Sequence, residues 1–549
     1  MSDRQDVVSA SKWMALGTIF SRATGFVRSA LIFAAIGKSL NADIFNNSNT
    51  IPTALYILVA GGIFNVVLVP QLIRAMKKDE DGGDAYVNRV MTLGLLVLAA
   101  ATVILTLLVP LLVRLVFTQE FFTPEFATRR ESANFLMALC MPQVFFYGAF
   151  VLVGQILNAR GRFGPMMWAP IINNVVACAV LGTYMATFGA SDGTDGFTSN
   201  EALLLGLGST LGIAVQTLVL IPYLRGTGFH FRPRFDFRGV GLGHTLRLGM
   251  WTLFFIMANQ VAFVAIQNIG TRSTVSGASS GVESAGAAVY EFGFLISQVP
   301  HGIITVSLAT AMMPTLSALA ADHRLPRMRL EIGRTLRLAL VIVGPLAVAV
   351  ACLGQQAATV TTSWGAIKGN TDLIGHTIQA FAPAMVLFTI HYLMLRGFYA
   401  AENTRTPFFI QVVIAATNIA AAVILTSLVG TQRISTMLAL SYGIAYLVGS
   451  ALSTTLLSRL IGPIFDAEMW RFMVRMTVAC AVSAATMLGL LYGLSAYVVD
   501  KSTIVGGLVV LIVAGGAGAG VFLLAAKLLH IEEIAYLAST LLRRRAAPD

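Results

Sequence analysis

Phe20-Ser21-Arg22-Ala23-Thr24-Gly25-Phe26-Val27-Arg28 lies inside the first long apolar stretch of the chain, which runs from Trp13 to Ile36. A hydrocarbon core of about 30 Å takes about 20 residues of helix, so the stretch is long enough to cross a membrane. A guanidinium at the centre of a spanning helix costs about 3 kcal/mol or more. Two of them on one helix are hard to explain as membrane anchors, and Arg22 and Arg28 are expected to face a wet interior that handles anions.

The rest of the chain agrees with a membrane reading. Its 549 residues are 56% hydrophobic and 11% charged, with a mean hydropathy of +0.77, a combination foreign to ordinary soluble domains. About fourteen segments of spanning length fit between Trp13 and Leu529, which predicts an all-α polytopic membrane protein. Met1 to Ser11 is polar and offers no convincing cleavage site, so the first helix is expected to stay in place. Cys140, Cys178, Cys352 and Cys480 are isolated from one another, which predicts neither a disulfide framework nor a metal site. No cofactor motif is present.

The net charge of +11 is a topology signal rather than a nucleic-acid footprint. Arg74, Lys77 and Lys78 follow the second span, Arg160 and Arg162 the fourth, Arg225, Arg232 and Arg234 the sixth, and Arg324, Arg327 and Arg329 the eighth. Most of the 37 Lys and Arg therefore fall on one side, as the positive-inside rule requires of a cytoplasmic face. Both termini are expected there. The alternate loops are short and poor in base; Ser191 to Asn200 holds Asp192 and Asp195 but no Lys or Arg. Attraction to anionic membrane lipid is a secondary consequence.

Polar connections are too short for a soluble domain. Ser273 to Gly286, rich in Ser and Gly, reads as a flexible outer connection. Three prolines recur at a spacing of about 242 residues: Pro70 with Pro314, Pro142 with Pro383, and Pro165 with Pro407. The spacing equals six spans, so both copies share one orientation, and the two halves should be related by an axis along the membrane normal. The expected division is an N-lobe over 1–230 (helices 1–6), a C-lobe over 231–465 (helices 7–12), and helices 13 and 14 with a tail over 466–549.

Several further polar residues sit in or beside spans. Arg22 and Arg28 are about 120° apart around the helix and about 9 Å along it. Arginine suits phosphate because its planar fork donates two parallel charge-assisted hydrogen bonds. Asp43 is followed by Asn46, Asn47 and Asn49 before Pro52; it is placed either to bind an arginine, a cation or a sugar hydroxyl, or to cap the next helix. Gly61, Gly62 and Asn65 suggest close packing in the second span. Glu291, Gln298 and His301 make the eighth span polar. Glu291 is either an attractor of Arg28 in an outer gate or a residue of the outer vestibule. His391 is expected to pack, Arg396 to snorkel, and Asn173 and Asn174 to bridge helices or line a cavity. No phosphate-binding loop, paired metal ligands or nucleophile triad is present, so the chain reads as a transporter and not an enzyme.

The run from Phe20 to Arg28, followed by Gly37, Ala42-Asp43 and Pro52, resembles the MurJ (MviN) family of lipid II flippases, within the multidrug/oligosaccharidyl-lipid/polysaccharide exporter superfamily. The resemblance continues at Gly154-Gln155-Ile156-Leu157-Asn158, at Gln298-Val299-Pro300-His301-Gly302, and from Leu395 through Pro407. It implies two six-helix lobes around a cationic cavity, two final helices with a groove for the lipid tail, and a bacterial cytoplasmic membrane location. It also implies movement of undecaprenyl-pyrophosphate disaccharide pentapeptide from the inner to the outer leaflet by alternating access. Arg22, Arg28 and Asp43 would be the substrate-binding positions, with Glu291, Gln298, Asn49 and Tyr56 as gate or cavity candidates. Tyr56 stands where many members carry an arginine, Gly61 at an acidic position, and Leu295 and Gln298 at a cavity arginine and glutamate; such losses look like those of actinobacterial members. The alternatives are a flippase for another polyprenyl-linked oligosaccharide and a non-transporting scaffold for cell-wall synthesis proteins.

Overall fold

The computed structural model describes residues 2–58, 83–162, 164–236, 242–367 and 371–535, and among them the regular structure is all helix, with no strand. Packing divides the chain into two compact units, Met1–Ala288 and Val289–Asp549. The first holds α1 (Ser2–Ile36), α2 (Leu40–Tyr56), α3 (Asp84–Leu107), α4 (Val109–Val116), α5 (Ala127–Cys140), α6 (Gln143–Ala159), α7 (Gly164–Phe188), α8 (Ser199–Leu218), α9 (Leu220–Arg225), α10 (Leu242–Ser280) and the first two residues of α11 (Ala287–Pro300). The second holds the rest of α11, then α12 (Val306–Ala321), α13 (Leu325–Thr362), α14 (Asp372–Ala380), α15 (Ala382–Ala400), α16 (Arg405–Ser427), α17 (Ile434–Ile461), α18 (Ala467–Tyr497) and α19 (Ile504–Leu528).

Twelve helical segments among the described residues are long and apolar enough to cross a membrane. α1 and α2 are helical as well, and the rest of the second expected span lies outside the described residues. By packing, α10 belongs with the helices before it, whereas the 230/231 division rests on a sequence repeat. Helices exceed the minimum span; α13, at 38 residues, is about 57 Å long by the helical rise. Its first turns carry Arg327 and Arg329.

The expectation of a flexible connection over Ser273 to Gly286 is corrected for its first half; residues 281–286 are a non-helical connection. α10 continues to Ser280, and Ser273, Thr274 and Val275 are fully buried. The small residues serve close packing: a Cβ on Gly286 would run into the Asp43 carboxylate and the Gly270 carbonyl. Small side chains let backbones approach, and at this position the approach brings a buried carboxylate to a helix end.

At the opposite side of the same corner, Gly37 adopts φ +84° and ends α1 in the left-handed region that glycine enters without a Cβ penalty. Asp192 then accepts from the Lys38 and Ser39 amides at 2.7 and 2.8 Å. Asn41 donates to the Gly196 carbonyl at 3.0 Å and accepts from its amide at 2.8 Å. The acidic loop between α7 and α8 thus satisfies the orphan groups of the α1–α2 corner and sets where α2 begins. α8 follows with a capping box, Thr198 and Glu201 bonding reciprocally.

In the second unit, Phe381 is fully buried and meets the rings of Tyr290, Phe294 and Tyr442 at 5.3, 6.0 and 5.8 Å. Ser483 of α18 donates to the Gly518 carbonyl of α19 at 2.8 Å. Arg337 of α13 pairs with Glu468 of α18 at 2.8 Å and with Glu533, beyond the end of α19, at 2.7 Å.

Candidate functional site

α1 lies along α7. Asn174 of α7 donates to the Ser21 carbonyl at 3.1 Å and to the Thr24 hydroxyl at 3.0 Å, and Trp168 stacks on Phe20 at 6.3 Å. The choice left open for Asn174 is settled: it bridges helices, within the arginine-bearing run itself. Asn173 on the same helix is also buried, its side-chain oxygen close to Gly212 of α8. Replacing Asn174 with leucine removes the only side-chain donor in that bridge and is expected to cost about 1 kcal/mol. Thermal unfolding of the purified chain checks it, and an unchanged midpoint would show that α1 is held by apolar packing alone.

Arg22 is exposed and Arg28 half-buried. Seven residues after Ser21, Arg28 returns to the flank that faces α7, where it lies within electrostatic range of Cys178. Its Nε is buried and has no hydrogen-bond partner among the described residues. A buried donor left open on a charged side chain calls for an acceptor, and an oxyanion supplies the strongest kind.

Asp43 is fully buried near the start of α2. One carboxylate oxygen accepts from the Thr274 hydroxyl at 2.6 Å and the other from the Ala288 amide at 2.7 Å. The second contact places a negative charge on the first turn of α11, where free N–H groups and the helix dipole favour an anion. Asp43 therefore caps a helix, though not its own. Beside it Lys38 pairs with Glu283. The contact between α2 and α10 continues downward as a polar seam: Gln260 donates to the Ala54 carbonyl, Gln267 and Thr271 are buried on α10, and Asn47 is fully buried on α2. Neither polar atom of the Asn47 side chain has a partner among the described residues.

The remaining candidates separate. Asn49 accepts from Gln143 of α6 at 3.1 Å, and Tyr56, seven residues on, stacks on Tyr147 of α6 at 5.3 Å. Both face α6 rather than Asp43. Glu291 and Gln298 are partly buried on α11 in the second unit, while Arg22, Arg28 and Asp43 belong to the first. After Pro300 the helix widens into one π-turn, His301–Thr305, a distortion often found at functional sites. His301 packs between Phe388 and Tyr392 at 4.4 and 4.6 Å. His391 is buried against Ser453 and the Gly449 carbonyl at 3.1 and 3.3 Å, as expected of a packing residue, and Arg396 lies over Tyr392 at 4.2 Å. Gly61, Gly62 and Asn65 lie outside the described residues. Sequence reasoning missed Lys38, Asp192, Thr274 and Glu283; the only signal was the acidic character of the loop between α7 and α8.

The family model described as lipid II flippase MurJ matches residues 32–513. The chain belongs to the MurJ family. Among MurJ relatives, a probable lipid II flippase from Rhizobium tropici is 26% identical over 549 aligned residues, covering 97% of this chain and 96% of the relative. One from Haemophilus influenzae is 25% identical over 420 residues, covering 73% and 77%. A solved structure, lipid II flippase MurJ in an inward closed conformation, matches with a TM-score of 0.71 at 18% identity, covering 95% of this chain and 99% of that one. At that identity the structural likeness speaks for the MurJ fold alone. The family match begins at residue 32, so Arg22 and Arg28 lie before it and their place in the MurJ site rests on the residues themselves.

Proposed function

We propose that this multi-pass membrane transporter carries lipid II from the inner to the outer leaflet of the bacterial cytoplasmic membrane by alternating access. Membership of the MurJ family supports that reading and does not favour the other oligosaccharide carrier or the scaffold. The observation that carries the mechanism is the arginine helix: Arg22 open, Arg28 half-covered with a buried unpaired Nε among the described residues. These two guanidinium groups bind the pyrophosphate while the polyprenyl tail stays in lipid. Both can deliver hydrogen bonds in the bidentate pattern that phosphate oxygens accept.

Asp43 contributes by holding the first turn of α11 rather than by touching substrate, since both carboxylate oxygens are engaged and enclosed. With Tyr56 stacked on Tyr147 instead of a cation at that position, binding of the pyrophosphate leans more heavily on Arg22 and Arg28. Both termini face the cytoplasm, and contacts with other membrane lipids or cell-wall synthesis proteins would be made from the basic cytoplasmic loops.

Rescue of a flippase-depleted bacterium by the intact gene tests the function; absence of rescue despite membrane expression overturns it. Topology is checked by single cysteines labelled in intact cells. A cysteine in place of Thr194 is expected to react with an impermeant maleimide, and one in place of Thr227 to be protected. The reverse pattern overturns the orientation.

A further inference from the structure

A cavity of about 600 Å³ opens within the first unit between α3, α6 and the α8–α9 pair. Its size falls in the range of about 300–1,000 Å³ that encloses small ligands. Leu95, Ala149, Val153 and Leu218 line its apolar part, and Arg225 and His230 stand among its lining residues. The Arg225 side chain is exposed and has no ion-pair or hydrogen-bond partner among the described residues.

A second observation concerns the segment that follows, Phe229-His230-Phe231-Arg232-Pro233-Arg234-Phe235-Asp236. It is not helical, and α3 holds it by its backbone: the Arg232 amide donates to Asn88 at 2.7 Å and the Arg234 amide to Thr92 at 3.0 Å. Phe229 is buried, while Phe231 and Phe235 are 39% and 68% exposed and both arginine side chains are free to reach outward. Asp236 pairs with Arg89 at 2.8 Å and lies within electrostatic range of Arg234, and one carboxylate against Arg89, Arg232 and Arg234 leaves the strip net positive. Aromatic rings beside arginines form the composition that settles at the headgroup level of a membrane.

We propose that this crevice binds one anionic phospholipid of the cytoplasmic leaflet, with an acyl chain in the cavity and its phosphate against Arg225 and His230. The leaflet assignment rests on the topology proposed above; the lipid site itself does not. A neutral apolar cavity with a cationic mouth matches the two ends of such a lipid, and Arg232 and Arg234 extend the positive surface around the headgroup. The cavity is too small to enclose a whole undecaprenyl chain, which favours a phospholipid over the transported substrate.

The test is native mass spectrometry of the purified full chain in mild detergent, with dipalmitoyl phosphatidylglycerol or dipalmitoyl phosphatidylcholine added. One phosphatidylglycerol is expected to be retained at about tenfold lower concentration than phosphatidylcholine, given the favourable contribution of each basic residue near an anionic headgroup. Arg225→Ala with His230→Ala should bring the two lipids level, and Ala149→Trp, which fills the cavity, should abolish retention of both. Equal retention of the two lipids by the unaltered chain, or undiminished phosphatidylglycerol in either variant, overturns the site. One-for-one displacement by undecaprenyl phosphate overturns the phospholipid as its occupant. Should Ala149→Trp fail to fold, the exposed double variant decides. A His230→Cys chain labelled from outside intact cells would overturn the leaflet while leaving the binding result standing.

Discussion

Arg28→Ala is expected to reduce lipid II translocation about 10- to 100-fold, because a hydrogen bond to a charged group is worth about 1.5–3 kcal/mol and each 1.4 kcal/mol is a factor of ten. The guanidinium lies on the flank of α1 facing α7, half-buried, with Nε open among the described residues. No hydrogen bond or ion pair among the described residues is broken by its removal, so the variant should reach the membrane and unfold at the normal temperature. Loss of transport would then report substrate contact and not misfolding. Arg28→Lys should fall between, since lysine keeps the charge but not the fork. The measurement is lipid II exposed at the outer face of depleted cells carrying each variant at matched expression. Full rescue by Arg28→Ala would remove the arginine from the pyrophosphate site.

Asp43→Ala should act through stability. Deleting the carboxylate strands the buried Ala288 amide and leaves the Thr274 hydroxyl only its 3.2 Å contact with the Thr271 carbonyl, at about 1–3 kcal/mol for each group that loses its partner. It also takes the anion from the first turn of α11. The unfolding free energy in detergent should fall by about 2–4 kcal/mol on these terms. Thr274→Val should cost less, because it removes one donor and leaves the Ala288 contact intact. The two changes share a hydrogen bond, so their double variant should show a coupling above about 0.5 kcal/mol. An Asp43→Ala chain as stable as the parent, or strictly additive effects, would mean that the cap contributes nothing measurable and would return Asp43 to the list of substrate contacts.

The comparison of these two residues shows what a linear reading can reach. Arg22 and Arg28 stand out because charge inside an apolar run is costly wherever the chain folds, and the cost is visible in nine consecutive residues. Asp43 was open to several readings because its partners lie 231 and 245 residues away. Asn174 was ambiguous for the same reason: an amide in a span must find a partner, but Ser21 and Thr24 are 153 and 150 residues distant. For Ser273 to Gly286 the loop reading holds only for the second half, since Ser and Gly are equally suited to a loose loop and to a close helix contact. Only the Asp43 carboxylate pressed against Gly286 distinguishes the two.

By itself the sequence determined the membrane class, the span count, the basic-sided loops and the arginine helix, all of which follow from transfer free energies summed over short windows of chain. The tertiary structure decided which polar groups are spent on one another. Asp43 is enclosed as the cap of α11, Asn174 is spent on α1, and Tyr56 is stacked on α6, whereas Arg22 stays open and the Nε of Arg28 lacks an acceptor among the described residues. Hydrophobicity is carried by each residue wherever it stands. Satisfaction of a buried donor or acceptor belongs to pairs of residues, and pairs are made only when distant helices meet.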